Sequence, residues 1–144
     1  CAMGAKSVDA NEDQVAKMHE FGELLGMAFQ IKDDLFDYSE QKIGKPTGID
    51  IKEQKMTLPM IHAINVMGRT DKNWLINTVK NHNKDKKRVR EAIKRIKEVG
   101  GLEFAEEKME FFRVRALEKL KTFPKNIYRD SLELMVNYVI ERSI

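Results

Sequence analysis

The chain has 144 residues, of which 42% are hydrophobic and 34% are charged, a composition typical of a folded domain or of part of one. Its net charge of +3 is too small to indicate binding to nucleic acid or to a membrane surface. No apolar run approaches the roughly 18 residues of a membrane span, and a single cysteine cannot form an internal disulfide, so a cytoplasmic location is predicted.

The spacing of apolar residues is helical almost throughout, and no segment alternates as a strand would. A first helix is predicted from Asn11 to Tyr38, with Asp9 or Asn11 as its N-cap. Its middle is apolar on nearly every face, which is typical of a helix buried inside a bundle. The glycines and the proline that follow predict a loop over residues 39–57.

Further helices are predicted along the rest of the chain. They comprise a short helix from Leu58, one around Trp74–Val79 with Asp71 as a possible cap, a charged helix over Asp85–Val99, a long helix from Leu102 to near Pro124, and a last one around Leu132–Ile140. We therefore predict an all-α helical bundle in which residues 1–144 form a single unit.

The charged helix carries a run of basic residues from Lys84 to Lys97. Binding to nucleic acid is one interpretation of such a run. However, Glu91 lies within it and Glu98 directly follows it, no aromatic residue accompanies it, and the opposite face is an apolar stripe. These features favour a solvated face of an amphipathic helix.

The first helix ends in a polar stripe. Gln30, Asp33, Asp34 and Asp37 follow one another at i, i+3, i+4 and i+7, so they share one helix face. Carboxylates that converge at the end of a buried helix repel one another unless a cation joins them. Oxygen-only ligands suit magnesium, which completes its coordination with water and with phosphate oxygens of a substrate.

The surroundings of this stripe distinguish it from ordinary surface charge. A DDxxD pattern on a solvent-facing helix is most often only surface charge. Here the pattern ends an apolar helix and is followed by a loop rich in glycine and lysine, and Lys32, Lys45 and Lys55 flank it as a phosphate site would require. A site for magnesium and phosphate is therefore the favoured interpretation.

Three strings in this region, FQIKDDLFDY, GKPTGID and EQKMTLP, stand in order between Phe21 and Pro59. Together they resemble the second aspartate-rich region of the trans-type polyprenyl diphosphate synthases. The strings GKPTGID and KMTLP are more similar to long-chain bacterial enzymes of the octaprenyl type than to farnesyl enzymes. The resemblance implies the C-terminal half of an all-α isoprenoid (terpenoid) synthase fold, without the family's first aspartate-rich motif. We accordingly expect a piece of a longer chain that is inactive alone.

The resemblance also implies an activity. Such an enzyme is a prenyltransferase that condenses isopentenyl diphosphate with an allylic diphosphate, and Mg²⁺ assists the ionisation of the allylic diphosphate. Among these residues it implies that Asp33 is the principal metal ligand, with Asp34 and Asp37 binding directly or through water. It further implies the following roles: Lys45 holds the allylic diphosphate and is catalytic together with Asp33, Lys55 is a second cation nearby, Gln30 and Phe29 line the substrate pocket, and Lys32 and Asp50 support the substrate site.

Two other functions stay open. A non-catalytic subunit of a heteromeric prenyl synthase would keep the fold, although it would have little use for the aspartates and lysines. A helical interaction module would carry the DDxxD pattern only as surface charge, and magnesium-dependent binding of diphosphate would separate it from the other two. From the family we expect a homodimer, and we expect no nucleic-acid partner.

Overall fold

The structure is a computed structural model that describes residues 1–39 and 47–141. Within these ranges every regular element is a helix, and no strand occurs, which confirms the prediction of an all-α fold. The helices are α1 (Ala2–Lys6), α2 (Glu12–Phe36), α3 (Ile49–Lys52), α4 (Leu58–Val66), α5 (Arg69–Asn81), α6 (Lys86–Glu98), α7 (Gly101–Lys121) and α8 (Ile127–Glu141).

The start of α2 confirms Asn11 as the N-cap. The Asn11 Oδ1 atom accepts a hydrogen bond from the Gln14 N–H at 2.9 Å, and the Gln14 Oε1 atom accepts one from the Asn11 N–H at 3.3 Å. This reciprocal pair is a capping box, which satisfies two N–H groups at the helix start. Asp9, the other candidate, lies two residues earlier with a left-handed φ of 56°.

Two local predictions were wrong. The loop predicted over residues 39–57 contains the short helix α3, whose first N–H groups bind a side chain twelve residues earlier, a contact that local sequence patterns do not reveal. Asp71 is not a cap, because α5 starts at Arg69 after Gly68 and Asp71 falls in its first turn. There the Asp71 carboxylate pairs with the Arg95 guanidinium at 2.9 Å.

Contacts between residues divide the chain into two compact units. The first unit comprises residues 1–30 and residues from 108 onward, and the second comprises residues 31–107. The assignment of residues 1–144 to one domain stays a prediction, since one domain can contain more than one compact unit.

The core of the first unit is formed by α2, α7 and α8. Phe21 of α2 is fully buried, as are Ala116 of α7 and Val136 of α8. The prediction that the middle of α2 is buried inside a bundle is confirmed in part, because Met27 keeps 48% of its surface exposed. In the described residues the buried face of α2 is the one that carries Phe21, Leu24 and Ala28.

The core of the second unit is formed by α3 to α6 and by the residues just after α2. The apolar stripe predicted on the charged helix is confirmed, because Val89 and Ile96 are buried and Ile93 packs against the same core. The solvated basic face is confirmed as well, with its exposed members being Lys86, Lys87, Arg90 and Lys94. The Arg95 guanidinium lies 4.0 Å from the centroid of the Trp74 ring, a cation–π contact that fixes α6 on α5.

Candidate functional site

The aspartates of the DDxxD pattern lie where α2 ends. Asp33 and Asp34 occupy the last turn of the helix, and Asp37 follows directly after its last residue, Phe36. Asp33 is exposed to solvent, whereas Asp34 and Asp37 are half-buried. The stripe predicted from the sequence therefore divides into one outward-facing carboxylate and two that turn towards neighbouring backbone.

Asp37 binds the start of α3 with both carboxylate oxygens. Its Oδ1 atom accepts a hydrogen bond from the Ile49 N–H at 2.8 Å, and its Oδ2 atom accepts one from the Asp50 N–H at 3.1 Å. The backbone carbonyl of Asp37 accepts a third hydrogen bond, from the Gly48 N–H at 3.0 Å. Asp37 thus caps α3 across a gap of about ten residues in the sequence, as an N-cap side chain does locally.

Asp34 binds the start of α4 in the same way. Its Oδ2 atom accepts a hydrogen bond from the Leu58 N–H at 3.2 Å, and Leu58 is the first residue of α4. The Thr57 side chain, at the N-cap position, makes no capping hydrogen bond of its own. The aspartate of α2 takes over this function. We name residues 48–58 the capped segment, because carboxylates of Asp37 and Asp34 bind its two ends.

A buried hydrogen bond also connects the capped segment to Tyr38. The Tyr38 hydroxyl lies 2.5 Å from the Thr57 Oγ1 atom, and both side chains are almost fully buried. Burial raises the pKa of the Tyr38 hydroxyl above its ordinary value. Neither residue was singled out from the sequence. A signal for Thr57 was available, since a threonine two residues before Pro59 is typical of a helix start.

A fourth aspartate and two lysines of the capped segment lie at this site. The Asp50 Oδ1 atom lies 3.2 Å from the Lys55 Nζ atom, and Lys55 Nζ also pairs with Glu53 at 2.7 Å. Asp50 acts electrostatically on both Asp34 and Asp37. We name Asp33, Asp34, Asp37 and Asp50 the aspartate cluster. Lys52 was missed in the sequence, because it lies on the unexpected helix α3.

Burial dominates the electrostatics of the cluster. It raises the pKa of Asp34 and of Asp37 above the ordinary value. The Asp50 carboxylate raises both pKa values further, and Asp33 and Asp37 add to the shift of Asp34. The hydrogen bonds from backbone N–H groups oppose this shift in both, and the nearby charge of Lys52 opposes it in Asp37. A cation beside these carboxylates would favour their ionised form and lower both pKa values.

The other residues predicted for the site have different outcomes. Phe29 is half-buried and Gln30 is exposed on α2, and the structure does not test their contact with a substrate. The Lys32 Nζ atom lies 5.2 Å from the centroid of the Phe36 ring. Lys45, predicted to hold the allylic diphosphate, lies outside the described residues.

The aspartates do not form a complete metal site by themselves. Among residues 1–39 and 47–141, no group of three carboxylate, imidazole or thiol side chains is arranged to hold a metal ion. Asp37 already uses both oxygens and Asp34 uses one for backbone N–H groups. The donor set suits a hard cation that takes one or two carboxylates from the protein and its other ligands from water and phosphate.

Comparison with known proteins identifies the family. The model of the polyprenyl synthetase family matches residues 1–96, which include α2, the aspartate cluster and the capped segment. The chain belongs to this family. The predicted resemblance to the polyprenyl diphosphate synthase family is thereby confirmed.

A curated relative extends the match over nearly the whole chain. The short chain isoprenyl diphosphate synthase of Methanothermobacter thermautotrophicus is 32% identical over 142 residues, which cover 96% of this chain and 43% of the relative. The name of this relative describes a short-chain enzyme. The greater similarity of the present chain to long-chain enzymes than to farnesyl enzymes therefore stays a prediction.

Solved structures of the same family confirm the fold. The geranylgeranyl pyrophosphate synthase of Bacteroides thetaiotaomicron superposes with a TM-score of 0.90 at 34% identity and covers 98% of this chain and 47% of that chain. The polyprenyl synthase of Caulobacter crescentus, solved with calcium and isoprenyl diphosphate, superposes with a TM-score of 0.85 at 27% identity and covers 98% of this chain and 44% of that chain. The present chain thus spans less than half the length of these polyprenyl synthases.

Of the helices in residues 1–39 and 47–141, none combines the length and the apolar character needed to cross a bilayer.

Proposed function

We propose that the protein carrying this sequence is a polyprenyl diphosphate synthase. It would be a trans-prenyltransferase that joins isopentenyl diphosphate to an allylic diphosphate and releases a polyprenyl diphosphate longer by one isoprene unit. The observation that carries the proposal is the aspartate cluster, which this polyprenyl synthetase family member presents together with Lys52 and Lys55. Because the chain spans less than half of its relatives, the activity is proposed for the whole protein.

The proposal includes a magnesium ion. The fit rests on the donor set, in which the exposed carboxylate of Asp33 lies beside the half-buried carboxylates of Asp34 and Asp37. Burial first, and then repulsion by neighbouring carboxylates, raises the pKa of Asp34 and Asp37. Asp33 would be the principal ligand, because its side chain is the exposed one. Asp34 and Asp37 would bind directly or through water. When bound, magnesium supplies Lewis acidity to the leaving diphosphate of the allylic substrate.

The side chains of this chain would bind and orient the substrates. Lys55, 60% of whose side chain is exposed, can turn its ammonium group from Asp50 to a diphosphate oxygen. Lys45 is proposed to hold the same diphosphate. Phe29 and Gln30, one helical turn before Asp33 and Asp34, would line the apolar pocket in which water is excluded from the allylic cation. Lys32 and Asp50 would support this arrangement.

The negative charge of the substrates must be balanced at the aspartate cluster. An allylic diphosphate brings several negative charges to a region that already holds four carboxylates. Binding is favourable only if cations lie between the two sets of charges. The lysines of the capped segment and the proposed magnesium ion would provide them.

The proposed function is tested by incorporation of labelled isopentenyl diphosphate onto farnesyl diphosphate. The protein is expressed with all residues that precede and follow this sequence in its gene, and is assayed with and without Mg²⁺. We expect magnesium-dependent chain elongation, and a loss of about a thousandfold or more in Asp33→Asn, typical for removal of a charge that acts on the leaving group.

Asp13→Asn is the matched control, since Asp13 lies exposed in the first turn of the same helix. It should keep the activity of the unaltered protein. If the folded protein with intact Asp33 shows no incorporation, the proposal is wrong, and a non-catalytic subunit that binds a catalytic partner becomes the better account. A homodimer and a cytoplasmic location are proposed from the family and are tested by the molar mass in solution and by cell fractionation.

A further inference from the structure

The aspartates of the DDxxD pattern differ in their contacts and therefore in the roles that they can have. The roles inferred below rest on the proposed function, because they belong to the same site. Asp33 is exposed, whereas Asp34 and Asp37 are half-buried and bind backbone N–H groups of other helices. Side chains that lie within five residues of one another at the end of α2 thus have different chemical surroundings.

We infer that Asp34 and Asp37, besides their proposed part in binding the cation, are positioning residues, whose carboxylates hold the capped segment against the end of α2 and thereby place Lys52 and Lys55 beside the aspartate cluster. Asp33 is the carboxylate that faces outward to a cation. Lys52 and Lys55 then bind the diphosphate and balance the part of its negative charge that the cation does not neutralise.

The hydrogen bonds at the two ends of the capped segment carry this inference. At its start, the Asp37 carboxylate accepts hydrogen bonds from the N–H groups of Ile49 and Asp50. The Asp37 carbonyl accepts a hydrogen bond from the Gly48 N–H. At its end, the Asp34 carboxylate accepts the Leu58 N–H. A segment fixed at both ends has little freedom to move the residues between them relative to α2.

Contacts inside the segment transmit this placement to Lys55. The Lys55 backbone N–H donates to the Asp50 carbonyl at 2.8 Å, and the Lys55 Nζ atom lies 3.2 Å from Asp50 Oδ1. Asp50 in turn donates its own N–H to Asp37. A continuous series of contacts therefore connects the Asp37 carboxylate to the ammonium group of Lys55.

Packing shows that the segment has one well-defined position. Gly48 has a left-handed φ of 75°, and a Cβ atom at this position would lie 2.6 Å from the Val89 Cγ1 atom. Ile51 is fully buried in the core of the second unit. The segment fits closely against α6 on one side, and the caps from Asp34 and Asp37 fix it on the other.

The experiment compares Asp34→Ala with Asp34→Asn in the complete protein. Alanine removes the acceptor for the Leu58 N–H, whereas the asparagine side-chain oxygen can still accept it without a charge. Two quantities are measured: the hydrogen-exchange rate of the Leu58 amide, and the KM for the allylic diphosphate. The turnover number is expected to fall in both variants, since both lose the charge.

For Asp34→Ala we expect the Leu58 amide to exchange about tenfold faster or more, which is the effect of losing a hydrogen bond to a charged acceptor, and KM to rise by a similar factor. For Asp34→Asn we expect both quantities to stay within about threefold of the unaltered protein. The effect of Asp34→Ala on KM should nearly vanish when Lys55→Ala is already present, because Asp34 is inferred to act on the diphosphate through the placement of Lys55.

Two results would overturn the inference. The first is a KM that rises equally in Asp34→Asn and Asp34→Ala, since the charge alone would then matter. The second is a Leu58 amide whose exchange is unchanged in Asp34→Ala. If the unaltered protein proves inactive, the proposed function fails, but the exchange of the Leu58 amide still tests the positioning role.

Discussion

The two ends of α2 carry acidic side chains in opposite electrostatic settings. At the start, Glu12 and Asp13 lie in the first turn, where the partial positive charge of free N–H groups favours carboxylates. At the end, Asp33 and Asp34 lie in the last turn, where the partial negative charge of free carbonyl groups disfavours them. The acids at the start of the helix stabilise it, and those at its end do not.

The difference indicates which end serves a function. Natural sequences break a local rule mainly at functional sites, where other contacts offset the cost. Here the offset is visible, because Asp34 and Asp37 find the N-terminal amides of α4 and α3. The carboxylates that weaken the end of one helix therefore stabilise the starts of two others.

The largest effect on stability is expected when the capped segment is forced out of place. Gly48→Ala should lower the free energy of unfolding by about 2–4 kcal/mol, because alanine disfavours the left-handed φ and its Cβ atom would overlap Val89. Chemical denaturation measures this change. Gly68→Ala is the control, since nothing lies within 4 Å of a Cβ at Gly68, and it should cost less than about 1 kcal/mol. Equal losses would contradict the account of the capped segment.

A smaller effect is expected at the other end of α2. Asn11→Ala removes the capping box with Gln14 and should lower the free energy of unfolding by about 1 kcal/mol. Asn11→Asp should keep the stability, since aspartate caps equally well and its charge suits a helix start. Neither substitution should change prenyl transfer by more than about twofold if the functional end is the distant one. A loss of activity in a folded Asn11→Ala variant would contradict the claim that only the C-terminal end of α2 serves the function.

The smallest expected effect is a difference in the pH dependence of stability. The pKa of Asp34 is raised above 3.8 in the folded protein, so this carboxyl group destabilises the fold at neutral pH and ceases to do so as the pH falls through its folded-state pKa. Asp85 behaves oppositely, because hydrogen bonds from Arg88 and Lys87 lower its pKa and its stabilising effect is lost on acidification.

Thermal unfolding of Asp34→Asn and of the unaltered protein, without metal, measures the Asp34 effect. The stability of the variant relative to the unaltered protein should decrease as the pH is lowered from 7 towards 4. The change should be below about 1 kcal/mol, because water reaches part of the side chain and screens its charge. A difference that is constant across this range would show that Asp34 titrates normally.

Local signals in the sequence were sufficient for most of the fold. The apolar period predicted α2 and α6 to within about two residues, and Asn11 was among the two caps proposed for α2. The helix α3 could not be predicted in the same way. Its stability depends on the Asp37 carboxylate, which the chain brings to Ile49 and Asp50 only after folding.

The candidate site was predicted as a set of residues but not as an arrangement. The pattern from Gln30 to Asp37 placed the aspartates on one face, and the family resemblance gave them one shared task. Sequence spacing does not show which carboxylate faces solvent and which binds an amide of another helix. For that reason the capping roles of Asp34 and Asp37, and the proximity of Lys52, became visible only in the structure.

The central claim is that the acidic end of α2 binds a divalent cation together with a diphosphate. The most direct measurement is the thermal unfolding of the complete protein with Mg²⁺, with inorganic diphosphate, and with both. The account predicts that both together raise the midpoint by about 3 °C or more in the unaltered protein and in Asp13→Asn, and that Asp33→Asn shows no such shift. An equal shift in Asp33→Asn would place the ligand elsewhere and contradict the account.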